Sequence, residues 1–83
     1  MIILSYKEWN QETEKAFHTG HVIVTLKRLD SQEWLLTCDV PGDTYYLEDN
    51  ETEVHNWFIT SRVVCNSEAK GIYENWLNRR EDI

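Results

Sequence analysis

Two histidines and two cysteines are the side chains best suited to chemistry in this sequence, and their spacing argues against most of it. His18 and His21 stand three apart in the run His-Thr-Gly-His. Two imidazoles at that spacing are half of a zinc site, and zinc takes four ligands in a tetrahedron. Only Cys38, His55 and Cys65 remain to complete one, from scattered positions. The expectation is that no metal is held and that the histidines are partly exposed groups near a helix end. A nucleophilic thiol needs a base beside it, oriented by a third group. Cys38 with His21 or His55 is a conceivable pair, yet Cys38 falls on the apolar side of its strand, where an unpaired thiol behaves as a small hydrophobe. Carboxylates are too numerous for one pair to stand out as general acid and base. There is no Gly-rich phosphate loop, and 83 residues leave little room for a deep cleft. The chain reads as a non-enzyme without a cofactor.

The carboxylates are informative through their distribution. From Leu29 to Ser61 there is no Lys or Arg, and these 33 residues hold eight acids: Asp30, Glu33, Asp39, Asp43, Glu48, Asp49, Glu51 and Glu53. The formal net charge is −7, while the other 50 residues carry seven acids and eight bases. The acids do not follow the D-x-[DN]-x-[DN]-G spacing that wraps calcium. A charge run is ordinarily a solvated face that aids solubility. Its functional counterpart is a negative surface. Acids ~5–7 Å apart along strands and loops imitate a row of phosphates and gain long-range attraction to a basic site. The candidate contacts are Asp39, Asp43, Glu48, Asp49, Glu51 and Glu53, with Tyr46 as an aromatic anchor, since Tyr is favoured at binding hot spots.

Direct nucleic-acid binding requires basic residues facing phosphates, and here the sign is reversed. The expected partner is a protein with a basic surface, such as a nuclease or a nucleic-acid-binding complex, and neither nucleic acid itself nor a membrane. In size and charge alone, the chain resembles the small acidic proteins with which phages and mobile elements block host nucleases or defence complexes. It resembles equally the small immunity proteins that neutralise a toxin nuclease. That resemblance carries no residue across. The alternative reading is a structural or assembly protein that forms homo-oligomers through its sheet face or edge.

The elements that must position these groups are those of one α+β domain: an antiparallel meander of three or four strands with an N-terminal and a C-terminal helix. Ser5-Tyr6-Lys7-Glu8 has the form of a helix capping box. Tyr6, Trp9, Thr13, Ala16 and Phe17 follow at spacings of three and four, which predicts a helix over about 6–18 stopped by Gly20; residues 1–4 have room for a short strand before it. Residues 21–29 and 33–40 alternate as strands. With Asp30-Ser31-Gln32 as a hairpin loop, Leu26 lies opposite Leu36 and Val24 opposite Cys38, so the apolar sides coincide. Pro41-Gly42 suits a type II turn, which would set Cys38 opposite Tyr45 and Leu36 opposite Leu47.

Residues 50–66 fit either a helix starting near Asn50 or a fourth strand with Trp57, Ile59, Ser61, Val63 and Cys65 on one face; the β-prone composition favours the strand. Ser67 then caps a last helix whose stripe is Ala69, Ile72, Tyr73, Trp76, Leu77 and Arg80. The expected core is Val24, Leu26, Trp34, Leu36, Tyr45, Trp76 and Leu77. The outer sheet face carries Ile23, Leu35 and Tyr46, either covered by a helix or loop or open as an interface. Met1-Ile2-Ile3-Leu4 is apolar but broken by Lys7 and Glu8, with no basic region before it. No signal peptide is read, so the expected compartment is the cytoplasm, with Cys38 and Cys65 as free, mostly buried thiols.

Overall fold

Ser5 caps as its sequence motif requires: its Oγ accepts from the Glu8 N–H at 3.2 Å. In the computed structural model, however, the helix it starts lasts one turn. The structure describes residues 1–48 and 50–81, with the side chains at 43–46, 55 and 81 outside that description. Its elements are α1 (Tyr6–Trp9), β1 (Glu14–Thr19), β2 (Val22–Arg28), β3 (Glu33–Tyr46), β4 (Glu53–Cys65) and α2 (Asn66–Glu81). The four strands form one antiparallel sheet in chain order, β1-β2-β3-β4. This is the expected α+β meander with a helix at each end.

The long first helix is the main correction. Residues 14–19 are a strand, with Phe17 opposite Val24 and Lys15 opposite Leu26. Phe17 is buried and Ala16 exposed, a period of two that the 3.6-residue stripe had masked. Gly20 closes a two-residue hairpin, not a helix, with the positive φ (62°) that the first central position of a type II′ turn demands. Residues 1–4 form no strand and are tied to α2 by side chains. Asn78 Oδ1 accepts from the Ile2 N–H at 2.6 Å, and Glu74 Oε2 from the Leu4 N–H at 2.9 Å.

The β2–β3 hairpin has the expected register, Leu26 to Leu36 and Val24 to Cys38. Asp30 Oδ1 accepts from the N–H groups of Gln32 and Glu33 at 2.8 Å, which holds the loop. Pro41-Gly42 does not turn the chain. β3 runs on to Tyr46 through a bulge between Pro41 and Thr44, so Cys38 faces Thr60 and Leu36 faces Arg62 instead of Tyr45 and Leu47. Pro41 is tolerated because β2 has ended: its last partner on β3 is Asp39, and beyond it β3 has β4 alone as neighbour. Gly42 lets the ring of Phe58 lie against the backbone, since a Cβ there would stand 2.5 Å from its Cε2 and 3.1 Å from the Asn56 carbonyl oxygen. The turn comes instead after Tyr46, with Asn50 at φ 58° and its N–H donating to the Leu47 carbonyl at 2.8 Å.

Both helices lie on one face of the sheet. Trp9, Phe17, Val24, Leu26, Trp34, Leu36, Val64 and Ala69 form the core, with Ile72, Tyr73 and Trp76 of α2 packed against it. Of the expected core residues, Val24, Leu26, Trp34 and Leu36 are buried and Trp76 and Leu77 partly so; Tyr45 lies among the side chains outside the description. Aromatic stacking supplies much of the core's bulk, with Trp9 on Trp34 at 4.7 Å and Phe17 on Trp76 at 4.8 Å. α2 begins at Asn66, one residue before the expected cap at Ser67. Asn66 Oδ1 accepts from both indole N–H groups, Trp9 and Trp34, at 2.9 Å, and its Nδ2 donates to Asn10 Oδ1 at 3.0 Å. Arg28 fixes the end of α1 from the sheet, donating to the carbonyls of Glu12 at 2.7 Å and Trp9 at 3.0 Å.

Candidate binding surface

Because β2 ends opposite Asp39, the rest of β3 and the first half of β4 continue as a two-stranded arm. The molecule measures 55 × 32 × 15 Å. The arm carries most of the candidate acids, and the structure divides them into two places. Asp39 sits half-buried at the arm's root, on the outer face between Ile23 and Ile59. Glu48, Glu51 and Glu53 are exposed at the tip. Seven strand positions separate Asp39 from Tyr46, a span of ~24 Å, so the root and the tip are not one cluster. Asp43 lies within the bulged stretch and Tyr46 opposite Glu53; both side chains are outside the description, as is Asp49 altogether.

The outer sheet face is open, since both helices pack on the other side. Its rows combine expected and unexpected residues: Ile23, Asp39 and Ile59 in one, the polar Thr25, Thr37 and Ser61 in the next, Lys27, Leu35 and Val63 in the third, and Pro41 with Trp57 on the arm. Sequence reasoning singled out Ile23, Leu35 and Tyr46 on this face, and within β4 it gave a binding role to Glu53 alone. There Trp57, Phe58, Ile59 and Val63 are 49, 62, 66 and 51% exposed. The available signal was an apolar run of strand residues whose outer neighbour was unassigned; once β4 is the last strand, that run has no strand beyond it.

The groups considered for catalysis are dispersed. His18 and His21 are exposed at a hairpin, not a helix end. Cys38 is half-buried and Cys65 exposed, both free. The buried placement expected for the thiols therefore fails at Cys65, because the last residue of β4 faces outward where the chain enters α2. The Ser67 hydroxyl at 3.2 Å, followed by the Glu68 N–H, holds this thiol below its ordinary range. Among the described residues no three His, Cys, Asp or Glu side chains are grouped to hold a metal. A hollow of about 560 Å³ opens beside Asn10, Thr13, Arg28 and Gln32. Its cation is already engaged with main-chain carbonyls. No helix among the described residues is long and apolar enough to cross a membrane.

Comparison with protein-family models, with curated proteins and with solved structures finds no match for this chain.

Proposed function

We propose that this protein is a small acidic interaction module, an inhibitor whose arm docks on the basic site of a nuclease or another nucleic-acid-binding protein. The observation that carries the reading is that the projecting arm, residues 40–58, holds five of the segment's eight acids, Asp43, Glu48, Asp49, Glu51 and Glu53, and no Lys or Arg. A solubilising charge has no need to be gathered on a protrusion. A protrusion of one sign concentrates the field where a partner arrives, which speeds association more than it slows release. Tyr46, at the last position of β3, is the proposed aromatic anchor behind the tip.

The test is capture of nucleic-acid-binding proteins on the immobilised parent and on a Glu48→Lys, Asp49→Lys, Glu51→Lys variant, whose formal net charge moves from −7 to −1. The parent should retain a partner that is released by competing DNA or RNA. Release should also come as salt rises past ~0.15 M, where the Debye length is ~8 Å. The variant, melting as the parent does, should lose that partner. Equal retention by both would reduce the acidic tip to a solvated surface.

A further inference from the structure

The two edges of the sheet differ in kind. β1 is short, six residues, and bears Glu14, Lys15 and His18, the charged and abbreviated edge that discourages further pairing. β4 is 13 residues long, with neither Pro nor Lys, and the bulge of the hairpin lies on β3. Between Glu53 and Asn66 its one formally charged side chain is Arg62. A long apolar edge of this sort is a template for another strand.

We propose that β4 is the seam of a two-fold homodimer, pairing antiparallel with β4 of a second copy about Thr60. The pairs that the strand forms with itself point to the second copy as occupant and select the register. A two-fold axis perpendicular to the sheet keeps the outer face continuous only if paired positions have the same parity, because side chains alternate between faces. The exposed run Trp57–Val63 maps onto itself when the axis passes through Thr60. Trp57 then lies opposite Val63 of the second copy and Ile59 opposite Ser61, which joins the two apolar stripes of the outer face into one. On the helix face Phe58 lies opposite Arg62, a cation beside an aromatic ring. Moving the axis to Ile59 sets Arg62 opposite Asn56 and Trp57 opposite Ser61, and both pairs are lost; moving it to Ser61 sets Ile59 opposite Val63 but takes Arg62 from the ring of Phe58 to Thr60.

Charge does not oppose the seam. No like charges face each other across it, since Arg62 meets Phe58. The two Glu53 positions stand 14 strand positions apart, ~48 Å, several times the Debye length of ~8 Å at physiological salt. The seam does not depend on what the acidic tip binds.

Sedimentation over a concentration series tests the assembly, and a cysteine at the axis tests the register. The parent should sediment with twice the mass of one chain. Ile59→Lys with Val63→Lys changes two side chains that are more than half exposed, so the variant should fold, by circular dichroism, yet sediment as a monomer. Thr60→Cys needs a background of Cys38→Ser and Cys65→Ser, because Thr60 is the cross-strand partner of Cys38. At the axis the two Cα atoms stand ~4.5–5.5 Å apart, within disulfide range, so mild oxidation should convert this protein to a covalent dimer, while Asn56→Cys in the same background should not cross-link. A parent that stays monomeric overturns the proposal. So does a dimer that survives the double lysine substitution, or one that cross-links at Asn56→Cys instead of Thr60→Cys.

Discussion

Replacing Asn66 by Ala should cost more than its modest size suggests, because one side-chain oxygen serves two tryptophans. Trp9 and Trp34 are both fully buried and both donate their indole N–H to Asn66 Oδ1 at 2.9 Å. Truncation leaves two indole donors without an acceptor, and each unsatisfied donor costs ~1–3 kcal/mol when desolvated. The bonds are only partly buried, which favours the lower half of that range, and Asn10 loses its bond from Asn66 Nδ2 as well. The expected loss is about 2–3 kcal/mol. A domain of this size has a total stability of ~4–12 kcal/mol, so the loss is a large fraction of the margin, and Tm should fall by roughly 10–20 °C. Asn66→Asp keeps an oxygen in place and should retain most of the stability, with Asn10 turning its amide to donate. Trp34→Ala sets the scale from above, at about 3–5 kcal/mol for a large aromatic removed from a core. The assay is thermal unfolding followed by near-ultraviolet circular dichroism, which reports the Trp9–Trp34 stack. An Asn66→Ala protein that melts within about 3 °C of the parent would refute the reasoning, and so would an Asp variant as damaged as the Ala one.

Two further outcomes can be read from stability alone. Gly20→Ala should destabilise by about 1–2 kcal/mol, the cost of an L-residue in the left-handed region, because no atom lies within 4 Å of the added methyl and the backbone alone pays; an unchanged Tm would mean that the β1–β2 turn relaxes. Glu74 is pushed up by burial, but the Leu4 N–H and the Lys70 ammonium at 3.1 Å outweigh this and hold its carboxyl below the usual value of 4.5. A carboxyl depressed in the folded state stabilises above its unfolded pKa, and that stabilisation is lost as pH falls through the folded value. The Tm difference between parent and Glu74→Gln should therefore shrink from pH 7 to pH 3, and a difference independent of pH would show that the ion pair contributes nothing.

The parts of the fold legible in the sequence are those whose pattern is local. β2 and the first half of β3 alternate with period two around an Asp that holds its own loop, so their register followed from matching apolar sides across three residues of turn. The α2 stripe from Ala69 to Trp76 repeats at helical spacing and does pack on the sheet. Residues 6–18 misled because Trp9, Thr13, Ala16 and Phe17 satisfy a helical period, although it is Lys15, Phe17 and Thr19 that share a face of the strand. Pro41-Gly42 misled because a proline and a glycine meet the needs of a turn and also those of a bulge beside Phe58.

The sequence by itself determined the fold class, the gathering of acids between Leu29 and Ser61, and the core side chains Val24, Leu26, Trp34 and Leu36, half of those that are buried together. These depend on composition and short-range spacing, which any conformation of the chain shares. The tertiary structure decided whether Phe17 belongs to a helix or a strand, since the answer lies in Val24 across the sheet. It decided that β3 runs to Tyr46, since the partner that holds it there is β4, with Glu53 opposite Tyr46. It decided also that Asp39 stays at the root while Glu48, Glu51 and Glu53 reach the tip, and that Trp57, Ile59 and Val63 line an open face. Exposure is a property of what packs on a strand, and both helices pack on the side that β4 turns away from these residues.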